Sequence, residues 1–120
     1  MQKEKLGKGK PPGQVLDAGD VLWVADGSHL RKVDCATGNP ISDYFVASSR
    51  NLGLLVSGPD GEVYAADATG FVFRCQEPRL SIFLLPGEVG IPDSLAVHDG
   101  KLWITGTQNV SVDLKSREKS

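Results

Sequence analysis

The sequence predicts an all-β domain made of about three four-stranded antiparallel units, and three observations carry that prediction. An aromatic residue recurs at Trp23, Tyr64 and Trp103, at spacings of 41 and 39 residues. Each stands in the same local text (LDAGDVLWVAD, GPDGEVYAAD, VHDGKLWITG), with a Gly/Asp turn two or three residues before it, where a hairpin would join two antiparallel strands. The 14 glycines and 7 prolines interrupt the chain so often that no amphipathic stretch of helical length survives.

The elements follow in order. Before each turn lies a short apolar run, GQVLD, GLLVS and SLAVH, which places first strands at Val15 to Asp17, Leu54 to Ser57 and Leu95 to His98. The aromatics mark the second strands. LRKVD, FVFRC and VSVDL supply third strands, and ISDYFV and LSIFLL place fourth strands at Ile41 to Val46 and Ser81 to Leu85 in the first two units only. Four short antiparallel strands in a period of about forty residues is the pattern of a β-propeller blade, with the first strand at the axis and the fourth at the rim. On that reading residues 1–11 are a basic disordered tail, 12–114 form one domain of three blades (12–50, 51–91 and an incomplete 92–114), and 115–120 are a second basic tail, too charged to make the missing fourth strand. Trp23, Tyr64 and Trp103 are expected to pack between adjacent blades, where a large ring buries on the order of 150 to 250 Å².

With 40% hydrophobic and 23% charged residues the chain has the composition of a globular domain. Lys3, Lys5, Lys8 and Lys10 crowd the start, and Lys115, Arg117 and Lys119 the end. Between Pro11 and Leu114 there are 6 basic against 13 acidic residues, so no basic face for a nucleic acid is expected. No apolar run is long enough to span a bilayer, and the lysine-rich start runs into Gly, Pro and Gln without a signal-peptide core, which points to a cytoplasmic protein. Cys35 and Cys75 close the second half of successive repeats, too far apart for a disulfide, and are expected as two reduced, partly buried thiols.

WVADGSHLRKVDCATG resembles the core of an NHL repeat, with its aromatic strand, Ala-Asp pair, polar turn with His, and Arg-Lys-Val-Asp. Ala66-Asp67 keeps the pair in the second unit and Thr105-Gly106 replaces it in the third. IPDSLAVHDGKLWITG is similar to the Pro-Asp-Gly strand opening of the gluconolactonase and senescence-marker propellers, which have six blades. The resemblance spans roughly Pro12 to Leu114 and implies part of such a propeller. Three blades cannot close a ring of the usual four to eight, so they form an open arc, a half-propeller or a fragment. The bare faces are then covered by a second copy, by another chain, or by the rest of a longer propeller.

Propeller sites lie where the openings of the inner strands converge. That brings Gly13, Arg50, Asn51 and Asp93 into view as a binding face, Pro12 and Pro92 standing 80 residues apart in equivalent places. The resemblance makes Asp93, and more loosely Asn51, the counterparts of residues that bind a divalent metal in the lactonase-like enzymes. The Glu of that family has no counterpart, Gly13 supplies no side chain, and a hard cation needs several oxygen ligands, so Asp93 is read as a turn residue and no metal or cofactor is expected. His29 and His98 each have a place in a turn or at a strand end, and no nucleophile elbow, phosphate loop or His pair is present. The expected function is a non-catalytic protein-interaction module of NHL-like blades whose partner is another protein or a second copy, with no nucleic acid and no membrane. The alternative is a metal-dependent lactonase-like hydrolase or an inactive remnant of one.

Overall fold

A computed structural model describes residues 14–46 and 52–120. They form three antiparallel sheets, each a meander of sequence-adjacent strands, and no helix occurs among the described residues. The first sheet holds β1 (Val15–Asp17), β2 (Val21–Asp26), β3 (His29–Asp34) and β4 (Pro40–Phe45). The second holds β5 (Leu52–Ser57), β6 (Val63–Asp67), β7 (Val72–Gln76) and β8 (Arg79–Leu84). The third holds β9 (Pro92–His98), β10 (Lys101–Gly106) and β11 (Asn109–Asp113).

The three aromatics occupy one register. Trp23 pairs with Leu16 and Lys32, Tyr64 with Val56 and Arg74, and Trp103 with Ala96 and Ser111. Because side chains alternate across a strand, each sheet has an aromatic face, carrying Trp23 and Ala25, Tyr64 and Ala66, or Trp103 and Thr105. The opposite face carries Leu22 and Val24, Val63 and Ala65, or Leu102 and Ile104. Two hydrophobic cores result. The first joins Trp23 and Ala25 to Leu55, Val63, Ala65, Phe73 and Cys75, and the second joins Tyr64, Ala66 and Val72 to Leu102, Ile104 and Val112.

The burial of the second strands records this stacking. All five residues of β6 are buried, since the middle sheet is covered on both faces, whereas β2 and β10 bury alternate residues. Trp103 therefore departs from the packing role expected of it: it is 38% exposed where Trp23 is 4% exposed and Tyr64 fully buried, because nothing among the described residues covers the aromatic face of the third sheet.

The inner strands lie closest together, β5 against β1 and β2 on one side and β9 on the other. Gln14 pins that junction: its amide N–H donates to the Gly53 carbonyl at 2.9 Å, its side-chain oxygen accepts from Leu55 N–H at 2.8 Å, and its own carbonyl accepts from Ala25 N–H at 3.1 Å.

The third sheet corrects a second expectation. The segment 115–120 is no free tail: Asp113 Oδ1 accepts from the N–H groups of Lys115 and Ser116 at 2.8 and 2.9 Å, and Arg117 adopts a left-handed φ of 66°. The chain so reversed runs back along β11, where Ser120 N–H donates to the Ser111 carbonyl at 2.9 Å and Asp113 N–H to the Glu118 carbonyl at 2.9 Å. The charges do not oppose this, because an edge strand bonds through its backbone and keeps its lysines in water. Lys119 also reaches Glu88 at 3.0 Å, tying the segment to the loop between the second and third sheets.

Candidate functional site

Three places could carry function: the end of the sheets that holds Asp67 and Asp93, a polar cleft at the opposite end, and the outermost strands. At the first, Arg50 and Asn51 lie outside the described residues. Asp93 is the second residue of β9 and faces solvent, while Pro92 before it is buried. Among the described residues no group of three or more His, Cys, Asp or Glu side chains stands close enough to hold a metal ion.

The carboxylate that is buried at this end is Asp67, 3% exposed. Its Oδ1 accepts from Thr69 N–H (2.9 Å), Thr69 Oγ1 (2.8 Å), Gly70 N–H (3.0 Å) and Phe71 N–H (3.0 Å), so it closes the β6–β7 turn. Its Oδ2 has no protein partner, and Asp67 lines a cavity of about 190 Å³ with Gly53, Leu54 and Pro92. In the third unit Gly106 takes the place of this Asp. A Cβ there would lie 2.1 Å from the Ile91 carbonyl oxygen, which accepts from Thr107 N–H at 3.1 Å, so only glycine fits where the incoming chain passes.

Most of the acidic excess goes into turns of this kind. Asp17, Asp34 and Asp113 each accept from the N–H two residues on, and Glu88 accepts from Leu85 N–H. Those backbone bonds, with Lys119 beside it, hold the Glu88 carboxyl below its ordinary range, and the Ser116 and Lys115 amides do the same for Asp113.

The polar cleft lies between the second and third sheets at the other end, about 520 Å³ in volume, lined by Asp60, Glu62, Arg74, Asp99, Asp113 and Lys115 among others. Sequence reasoning missed it, since Glu62 reads as the ordinary start of a strand. Glu62 is buried, its Oε1 accepting from Asp60 N–H and its Oε2 from the Tyr64 hydroxyl, both at 2.9 Å. Burial, with the Glu62 carboxylate beside it and against the pull of Arg74, pushes the Tyr64 hydroxyl up to about 12. The Arg74 guanidinium donates to the Leu114 carbonyl at 3.2 Å and lies 4.9 Å from the Phe83 ring centre. Glu62 is thus spent on its own sheet, while Arg74 joins the two sheets through the Leu114 carbonyl and keeps a buried Nε that has no protein partner.

The histidines and thiols form no reactive pair. His29 Nδ1 meets Asp43 Oδ1 at 2.8 Å, and that hydrogen bond holds Asp43 below the ordinary carboxylate range. His98 meets Asp99 at 3.1 Å on an open surface and stacks on Trp103 with ring centres 5.1 Å apart. Both cysteines are free, but Cys35 is exposed, against the expectation of a partly buried thiol, because it lies in the turn after β3. Burial and the Glu77 charge push the Cys75 thiol up to about 11.

The third place is the outer edge of the sheets. Of the large apolar residues that face solvent, Ile41 and Phe45 lie on β4, Ile82 on β8 and Leu85 just beyond it. Between these edges, Glu77 from the β7–β8 turn receives Lys32 Nζ at 2.6 Å, the Tyr44 hydroxyl at 2.8 Å and Ser42 Oγ at 3.1 Å, which cross-link the first sheet to the second.

No family model matches the chain, and neither does any curated protein. Among solved structures it is similar to the extracellular domain of the one component system BT4673 from B. thetaiotaomicron, with a TM-score of 0.72 and 16% identity. The match covers 94% of this chain but 16% of that one, so the chain spans about a sixth of the neighbour's length. The likeness concerns the fold, and a neighbour that is an extracellular domain lends no support to a cytoplasmic location. No helix of the described residues is long and apolar enough to cross a membrane. The chain is an all-β protein of stacked antiparallel meanders.

Proposed function

We propose that the three sheets are consecutive blades of a β-propeller and that the chain works as a non-catalytic protein-interaction module, engaging another protein through the rim. Two features support the blade reading: the common register of Trp23, Tyr64 and Trp103, and the close approach of the inner strands. The interaction reading rests on one observation, the run of solvent-facing apolar residues along the outermost strands, Ile41, Phe45, Ile82 and Leu85. Such residues recur on or beside the fourth strand of both four-stranded sheets, and that recurrence supports the rim as a contact surface. The acidic body opposes a nucleic-acid partner.

The test is quantitative capture from a host extract by the immobilised chain, compared with Ile82→Asp and Leu85→Asp variants shown by circular dichroism to be folded. A partner held by the native chain should bind the variants at least about tenfold more weakly, the loss typical of a central apolar contact. An identical set of bound proteins at identical affinity would overturn the rim assignment.

A further inference from the structure

We propose that Asn109 is an acceptor for an N-linked glycan, in the tripeptide Asn109-Val110-Ser111 that follows the β10–β11 turn. The inference uses the register of the sheets and stands apart from the rim contact proposed above.

The sequence has three asparagines, and one of them stands in the Asn-x-Ser/Thr text that N-linked glycosylation requires. Asn39 is followed by Pro40, and Asn51 by Leu52 and Gly53, so neither qualifies. A tripeptide alone is a weak signal, and its place in the fold gives it weight. β10 ends at Gly106 and β11 begins at Asn109, so the acceptor directly follows the turn Thr107-Gln108 at one end of the sheet, and it is exposed.

Register supplies the second observation. Asn109 pairs with Thr105, as Leu30 pairs with Ala25 in the first sheet and Val72 with Ala66 in the second. Leu30 and Val72, 1% and 0% exposed, are core residues of the two internal seams, and so are Ala25 and Ala66. Ser111 pairs with Trp103, as Lys32 pairs with Trp23 and Arg74 with Tyr64. Both of those bases reach across a seam, Lys32 to Glu77 at 2.6 Å and Arg74 to the Leu114 carbonyl at 3.2 Å. The third sheet keeps the aromatic residue but has Thr105, Asn109 and Ser111 where each seam has an alanine, a bulky apolar residue and a bridging base. These are differences of residue type, so they hold whatever surrounds the sheet. An asparagine pressed into a seam like the other two would bury its amide among apolar groups and lose its hydrogen bonds to water. Two of the three replacements that make this face unlike a seam are the two that write the acceptor text.

In the transfer, Asn109 Nδ2 displaces a lipid-linked diphosphate from the anomeric carbon of an oligosaccharide. The C–O bond to the diphosphate breaks with its electron pair, an N–C bond forms, and the amide gives up one proton. Ser111, buried once β11 is paired, is read by the transferring enzyme on the unfolded chain as it enters the secretory compartment. The finished fold then has to leave room for the sugar at Asn109 alone.

Expression of the full chain behind a cleavable secretion leader in a eukaryotic host tests this, with intact masses measured in cell extract and medium before and after treatment with peptide N-glycosidase. The native chain should carry a glycan that the enzyme removes, converting Asn109 to the acid. Asn109→Gln and Ser111→Ala should both lose the glycan, and Ser111→Thr, which keeps the hydroxyl, should retain it. The glycosylated chain should have the same strand content by circular dichroism as the enzymatically cleared one. A native chain of unmodified mass in both fractions, a glycan that survives Asn109→Gln, or a glycosylated chain that has lost its strands would each overturn the inference.

Discussion

Asp67 shows how much one side chain decides locally. One of its oxygens serves three backbone N–H groups and a hydroxyl within the β6–β7 turn, and the other has no protein partner. Replacing it with Ala would strand the Phe71 amide and leave the Gly70 amide only its long 3.4 Å bond to the residue 67 carbonyl, and a lost partner in such a turn costs a desolvation penalty. Asp67→Ala should therefore lower stability by about 2 to 4 kcal/mol and Asp67→Asn, which keeps the accepting oxygen, by about half as much. Urea denaturation measures both, and a loss under about 0.5 kcal/mol for the Ala variant would mean that the turn amides find other acceptors. The Ala-Asp pair was readable in the sequence, but its meaning was not. A carboxylate that closes a turn and one that binds a cation are the same letter, and the amides that donate to Asp67 are what mark it as the former. Asp93, singled out from its Pro-Asp context, is the exposed one.

Between elements, the link with a distinctive signature is Glu77, which joins the β7–β8 turn to β3 and β4. Partial burial works to raise its carboxyl, but the hydrogen bonds from Lys32, Tyr44 and Ser42 prevail and hold it below the ordinary glutamate range. A carboxyl depressed in the folded state contributes stability that is present above its unfolded pKa, about 4.3, and is lost as pH falls through the lower folded value. The thermal midpoint of the native chain should thus drop as the pH falls below about 4.3, and Glu77→Gln should show a shallower drop while losing some stability at neutral pH. Asp43, Glu88 and Asp113, also depressed, keep the acid loss from vanishing. Equal slopes for the two proteins would show that the cross-link contributes nothing. Sequence periodicity found the strands joined here, since alternation and Gly/Asp turns are local. It missed the last one, because the pairing of residues 118–120 with β11 depends on backbone geometry and a turn at Asp113, and lysine-rich text carries no apolar alternation to announce it.

At the scale of the whole molecule, the position of a sheet in the stack decides what its aromatic residue is worth. Trp23 lies in the first seam and Trp103 on an outer face, although their local sequences are alike. Trp23→Ala should cost about 3 to 5 kcal/mol, whereas Trp103→Ala in dilute solution should cost less than about 1 kcal/mol. Chemical denaturation reads both, and equal costs in dilute solution would contradict the burial pattern. The three equivalent aromatics were legible because they recur at 41 and 39 residues. Which of them is covered was not, since a sequence motif is blind to the neighbour that follows it in space.

The uniform register of the seams has an evolutionary corollary. The middle sheet packs one face on the sheet behind it and the other on the sheet ahead, and its register repeats in the units on either side, 41 and 39 residues away. An in-frame duplication of such a unit would meet matching surfaces on both sides. Growth and shrinkage by whole repeats are then structurally mild events, whereas an insertion of a few residues inside β6, buried on both faces, is not.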